Sequence, residues 1–366
     1  MNVSSVSPKP LRSLEARYYT DPIIFTKEED GLLSRTWQFA GHSSLVEKPG
    51  DYFTFELAGQ SLFCIRDREN QVRAFYNVCQ HRAHELIRGS GNARLLVCPY
   101  HAWTYELTGK LRGGPNVNAV PGFDRNDICL TSVKVELFCG FVFVNLDPDA
   151  KPMDEWFPKV RQELTEFVPH INQLKPLEWV EIPENCNWKV SIENYSECYH
   201  CALNHKTFAT GVIKPETYDI QPQGYCLRHT TECQNLDRMS YPIDLNANAR
   251  AGEYASWFLW PTFSFQVYPG NVLNTYHWRI KNVDEVVVWR GWYTIDGAES
   301  DIIRKLAIQD RATTVEEDIH IVEAVQRGLH NRGYRPGPLV IDPNCGVNSE
   351  HSVRLLQQWM REAVDV

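Results

Sequence analysis

Four residues within a short stretch could together hold a metal: Cys79 and His81, then Cys98 and His101. Two thiolates and two imidazoles satisfy either a tetrahedral zinc ion or an iron–sulfur cluster. A second group lies downstream, where His200 and His205 stand five residues apart in Asn194-Tyr-Ser-Glu197-Cys-Tyr-His200-Cys-Ala-Leu-Asn-His205. Joined by one carboxylate from elsewhere in the chain, they would make a three-ligand face suited to ferrous iron. Such a face leaves positions open for O2 and substrate, which oxygen activation requires. Taken alone, two histidines fit a zinc site or a structural role equally well.

Spacing discriminates at the first group. The close pair of a structural zinc site is usually separated by two to four residues, whereas only Gln80 separates Cys79 from His81. In a Rieske centre the two thiolates take one iron of a [2Fe–2S] cluster and the two imidazoles the other, which raises its potential. The order C-x-H, then C-x-x-H, fits that division. With the flanking Arg82, Pro99, Tyr100 and Trp103, the stretch resembles the Rieske non-heme iron oxygenases, whose loops read C-x-H-R and C-P-Y-H-x-W-x-Y. Gln80 stands where that family usually has Pro, a departure expected to change loop stiffness more than ligation. His84 reads as a hydrogen-bonding loop residue, since the pattern already has its four ligands. Neither motif carries the additional cysteine that cross-links the loops of respiratory-chain Rieske proteins, which points to the oxygenase branch.

The resemblance extends to the second group. These oxygenases carry N-W-K and then E-N-x-x-[D/E]-x-Y-H-x-x-x-x-H; this chain has Asn187-Trp188-Lys189 and then Glu193-Asn194 through His205. Their third iron ligand is an Asp on a C-terminal helix, which implies Asp318 here, with Glu316 and Glu317 as rivals. The family's acidic residue before the first iron histidine bridges to a cluster histidine of the neighbouring subunit. That implies the same catalytic role for Glu197 and a homotrimer. Glu rather than Asp in the context E-C-Y-H-C resembles the branch that acts on quaternary ammonium compounds such as carnitine, a likeness running over nearly the whole chain. It implies hydroxylation of a betaine-type substrate with O2, followed by C–N cleavage; hydroxylation or demethylation of an aromatic acid is the competing enzyme reading. An electron carrier or a zinc-stapled binding module would not need His200, His205 and Asp318.

These residues need two kinds of scaffold. From about Asp51 to Leu146 the runs DYFTFEL, QSLFCIRD, VRAFYNVC and VELFCGFVFVNLD are rich in β-branched and aromatic residues and bounded by Gly, Asn and Asp, as strands and hairpins are. Later runs, ASWFLWPTFSFQVYP, NVLNTYHWRIKN and EVVVWRGWYTID, read as longer strands, and SDIIRKLAIQDRATTVEEDIHIVEAVQRGL as helices with an apolar stripe. The fold expected is α+β: a helical segment over 1–40 packing on the catalytic domain, a Rieske β-domain over 41–150, and over 151–366 a catalytic domain with an antiparallel, helix-grip-like sheet covered by helices. Residues five apart leave one face of an ideal helix, so His205 is expected where the helix bends or ends. Aromatic faces suit a trimethylammonium group, and Trp260, Phe263 and Phe265 are expected to form a substrate cage; alternation within a core strand is the plainer reading of the two phenylalanines.

Bulk properties exclude other classes. A formal charge of −9 without Lys/Arg runs argues against nucleic acid or an anionic membrane surface. No apolar run approaches the roughly 18–20 residues of a membrane span, and the opening MNVSSVSPKPLRSLEARYYT lacks a signal peptide's apolar core, so a cytoplasmic location is expected. Eleven cysteines, an odd number in a long chain, are expected to be reduced thiols and metal ligands rather than disulfides. No G-x-G-x-x-G fingerprint follows a strand; electrons are therefore expected from a separate NAD(P)H-dependent reductase with flavin and an iron–sulfur centre.

Overall fold

The computed structural model describes residues 11–365. They divide into two compact units, one holding 29–165 with 169–176, the other 11–28, 166–168 and 177–365. The divisions thus fall near 28 and 165–176 rather than at 40 and 150. Residues 1–10 of the expected N-terminal segment lie outside the described part.

The first unit is built of short strands: β1 Gln38–His42, β2 Asp51–Leu57, β3 Gln60–Arg66, β4 Val72–Tyr76, β5 Ser90–Asn92, β6 Leu96–Val97, β7 Thr104–Tyr105, β8 Leu111–Gly113, β9 Ser132–Phe138 and β10 Phe141–Asn145. Seven of them form a sheet in the order β1-β10-β9-β4-β3-β2-β5, and β6-β7-β8 form a second, smaller sheet. Phe63, Ile65, Phe75, Leu96, Tyr105 and Leu111 are buried in a core shared with Cys79 and Cys98. The two loops that carry the Cys/His pairs leave β4 and β6, so this core fixes the base of each loop.

The second unit is centred on a seven-stranded antiparallel sheet in the order β11-β17-β16-β15-β14-β13-β12. Its strands are β11 Leu174–Glu184, β12 Asp219–Gln223, β13 Cys226–Glu232, β14 Glu253–Leu259, β15 Phe263–Tyr268, β16 Val272–Asn282 and β17 Glu285–Ile295. Register pairs Gln266 with Asn274, Asn274 with Trp292, and Tyr276 with Arg290. One face of the middle strands is therefore polar as well as aromatic, although every residue of β15 is buried. Among the helices are α1 Trp188–Tyr195, α2 Cys201–Asn204, α3 Lys206–Gly211, α4 Asp301–Asp310, α5 Glu316–Leu329 and α6 His351–Val364. A π-helical turn, Arg311–Val315, joins α4 to α5. Among the described residues no helix is long and apolar enough to cross a membrane.

The N-W-K tripeptide explains how α1 is set. The Asn187 side chain caps the helix by accepting from Lys189 N–H at 3.1 Å, satisfying one of its orphan donors. Asn187 N–H in turn donates to Gln326 Oε1 at 3.1 Å, tying α1 to α5. Trp188 Nε1 and Lys189 Nζ donate to Glu28 at 2.9 and 2.7 Å, a buried ion pair that fastens the N-terminal segment to α1.

Candidate metal centres

The two Cys/His loops have one backbone design. Cys79 N–H donates to His84 O and Ala83 N–H to Cys79 O; four residues into the other loop the pattern repeats, with Cys98 N–H on Trp103 O and Ala102 N–H on Cys98 O. Ala83 and Ala102 both have positive φ, 58° and 54°, a left-handed conformation costing an L-residue about 1–2 kcal/mol. Both cysteines are buried, while His81 is exposed and His101 half-buried. The rings of His81 and His101 meet edge to face at 4.7 Å, and His81 stacks on Trp103 at 4.5 Å. Thiolates thus lie inward and imidazoles outward. His84 donates through Nδ1 to Glu85 O and tilts against Tyr100 at 5.9 Å.

Tyr105 braces the first loop. Gln80 N–H donates to the Tyr105 oxygen at 3.0 Å, and that hydroxyl lies 3.2 Å from Cys79 Sγ. Proline at position 80 would have no N–H to give, so this chain's departure supplies a hydrogen bond. Burial pushes the Cys79 thiol up, against the pull of Tyr105.

In the second unit His200 precedes α2, and His205 stands at the break between α2 and α3. That break turns both rings to one point despite their spacing. His200 Nε2 and His205 Nε2 are 3.0 Å apart, and Asp318 Oδ1, in the first turn of α5, lies 3.6 and 3.0 Å from them. Among the described residues this is the one group of three or more His, Cys, Asp or Glu donors within 4.8 Å of one another. The opposite ring nitrogens are held by carboxylates: Glu197 Oε1 is 2.5 Å from His200 Nδ1, and Glu317 Oε2 is 2.8 Å from His205 Nδ1. Glu317, a rival ligand by sequence, therefore sits behind a ring rather than at the convergence point, and Glu316 pairs with Arg311 and His320. Burial disfavours charge on His205, but Asp318 and Glu317 override it and raise the imidazole to about 8.

Cys198 and Cys201 form a disulfide, which corrects the expectation that all thiols are reduced. Their three-residue separation across the start of α2 leaves the Cα atoms 4.9 Å apart, within bridging reach.

A cavity of about 230 Å³ is lined by Thr207 and Phe208 just after His205 in the chain, by Tyr241 and Tyr268, and by Leu306, Gln309 and Asp310 of α4; another of about 230 Å³ is lined by His200 with Glu197, Asn194 and Glu193. A smaller one, about 30 Å³, is lined by Asp318, Glu184, Tyr195, Tyr276 and Trp278. Trp260, Phe263 and Phe265 border none of the three. Trp260 packs on Trp188 and Trp359, and Phe263 on Phe265. The parity of β15 explains this, since adjacent residues face opposite sides of a sheet and Tyr268 is on the cavity side.

Comparison with known proteins agrees with both centres. Residues 36–124 match the Rieske [2Fe-2S] domain, and 171–365 match the ring hydroxylating alpha subunit (catalytic domain). The carnitine monooxygenase oxygenase subunit of Acinetobacter pittii is 32% identical, over 94% of this chain and 93% of that protein. This chain belongs to the Rieske-type non-heme iron monooxygenases. The chloroplastic choline monooxygenase of Spinacia oleracea is 29% identical, over 97% of the oxygenase and 80% of the relative. A crystal structure of a quaternary ammonium Rieske monooxygenase in complex with L-carnitine superposes with a TM-score of 0.84 at 29% identity, covering 98% and 97% of the two chains. Naphthalene 1,2-dioxygenase shares the fold, with a TM-score of 0.76 at 19% identity.

A [2Fe–2S] cluster and a mononuclear iron come with this family, and the donors fit them. Cys79 and Cys98 share one buried core and the rings of His81 and His101 meet at 4.7 Å, a two-thiolate, two-imidazole set of the kind a Rieske cluster takes, and His101 Nδ1 is buried without a hydrogen-bond partner. Asp318 Oδ1 faces both histidine Nε2 atoms from the first turn of α5.

Proposed function

We propose that this oxygenase hydroxylates a quaternary ammonium compound of the carnitine or betaine type, with C–N cleavage following. The observation that carries the reading is the aromatic cavity whose lining takes in Thr207 and Phe208, just past His205 in the chain, with Tyr241, Tyr268 and Asp310. Aromatic faces attract a diffuse, weakly hydrated cation. Likeness to carnitine and choline monooxygenases supports the same reading.

In this proposal Cys79, His81, Cys98 and His101 hold the cluster, and His200, His205 and Asp318 hold the mononuclear iron. The bound groups supply electron storage and oxygen activation. Glu197 and Glu317 keep the Nδ1 protons of the two histidines, which fixes the tautomer and presents both Nε2 lone pairs inward. Glu197 also accepts from the backbone N–H groups of Tyr199 and His200. Each carboxylate oxygen has a further lone pair, leaving room for a cluster histidine of a neighbouring subunit in a homotrimer. A separate NAD(P)H-dependent reductase delivers the electrons. Once a hydroxyl stands on the carbon next to nitrogen, its proton leaves, the C=O bond forms, the C–N bond breaks and a neutral tertiary amine departs.

Turnover with carnitine, γ-butyrobetaine, glycine betaine and stachydrine, beside an aromatic acid, tests the reading. Consumption of at least one ammonium compound, with release of an amine, is expected. Oxidation of the aromatic acid alone would overturn it.

A further inference from the structure

Of the eleven cysteines in the chain, Cys198 and Cys201 are bonded to each other and the other nine are free thiols. The bonded pair brackets Tyr199 and the iron ligand His200. Its S–S bond closes a small ring whose backbone carries His200, and Cys201 N–H donates to Cys198 O at 3.1 Å within that ring. Both ends of the ring reach the metal site. Glu197, which holds His200 Nδ1, immediately precedes Cys198, and Cys201 O accepts from the backbone N–H of His205 at 2.9 Å. One covalent link is thus joined through the backbone to two of the three converging donors.

The sulfurs lie in a cluster with Ile213, Tyr218 and Ile220 and belong to residues only 2% and 4% exposed. The turn that carries them is not buried throughout: Tyr199 is 49% and Leu203 79% exposed, and α2 is a single turn of four residues. So short an element with exposed side chains opens locally at a small fraction of the global unfolding free energy, which admits small reagents to the pair. C-x-x-C is also the spacing of redox-active dithiols.

We propose that Cys198 and Cys201 form a reversible thiol–disulfide switch on the iron site: the disulfide clamps the segment that presents His200 and His205, and the dithiol releases it. Hydrogen peroxide, the two-electron, two-proton reduction product of O2, closes it. Each thiol gives up its hydrogen, the S–S bond forms, and the peroxide leaves as two waters. A small dithiol reopens it: its thiolate attacks one sulfur, its second thiol resolves the mixed disulfide, and both cysteines recover their protons. The role is one of positioning, since the donors that meet at the site are His200, His205 and Asp318. Groups that orient metal ligands are worth about 10- to 100-fold in metal affinity.

The test compares iron-loaded holoenzyme treated with dithiothreitol and the same protein re-oxidised with hydrogen peroxide, each desalted before measurement. Alkylation with peptide mass analysis counts the thiols at 198 and 201, and retention of the mononuclear iron against a graded chelator reads affinity. Dithiothreitol is expected to expose both thiols and to lower iron affinity by about 10- to 100-fold, peroxide to restore the bond and the affinity, and the reduced Rieske EPR signal to be the same in both forms. Cys198→Ala with Cys201→Ala is expected to match the reduced form and to respond to neither reagent. A pair that dithiothreitol does not open, or peroxide does not close, overturns the switch. Equal iron affinity in the two forms of the parent also overturns it, and that readout needs no variant. A response that persists in the double variant belongs to another cysteine and overturns the assignment as well.

Discussion

Glu317 Oε2 lies 2.8 Å from His205 Nδ1, on the side of the ring away from Asp318. The contact orients the imidazole and raises its basicity. Glu317→Ala is therefore expected to weaken iron affinity by about 10- to 100-fold, the range for such supporting carboxylates, with the cluster's visible spectrum unchanged. Iron retention against a graded chelator measures it.

Iron loading should depend on pH in a definite direction. Without metal the His205 imidazole sits at about 8, and only its neutral form ligates, so binding iron expels a proton. Affinity is expected to be fully developed above pH 8 and to fall by up to tenfold per unit as the pH drops through 8 toward 6. Equilibrium dialysis of the iron-depleted site against ferrous iron across that range reads the slope.

Tyr105→Phe removes the hydroxyl that touches Cys79 Sγ and receives Gln80 N–H. Hydrogen bonds to cluster sulfurs raise the reduction potential. A bond worth about 1.4 kcal/mol corresponds to about 60 mV for one electron, so redox titration of the variant is expected to give a potential lower by up to about that amount.

The Lys189–Glu28 pair is 2.7 Å apart with both side chains buried. Lys189→Met strands the Glu28 charge and is expected to cost about 3–5 kcal/mol in denaturant unfolding. Glu28→Gln added to it should recover part of the loss.

How far the sequence foretold this arrangement varies from residue to residue. Close spacing made the metal-ligand candidates legible, because C-x-H and C-x-x-H leave little freedom in how the donors meet. Glu317 and Asp318 are adjacent, and only the pitch of α5 after the π-helical turn decides which carboxylate faces the histidines. Within the aromatic run 257–268, strand parity puts Phe263 and Phe265 on one side of the sheet and Tyr268, which lines the larger cavity, on the other. The Cys198–Cys201 bridge depends on the local turn, which odd-number counting of cysteines cannot register.

The assignment of ligands to two separate iron centres is the central claim, and iron quantification combined with EPR of dithionite-reduced Asp318→Ala protein tests it most directly. The parent should contain three irons per chain, two in the cluster and one mononuclear, and the variant should lose one of them while its reduced Rieske signal persists. A variant that keeps all three irons, or a parent that contains zinc and shows no Rieske signal, would contradict the account.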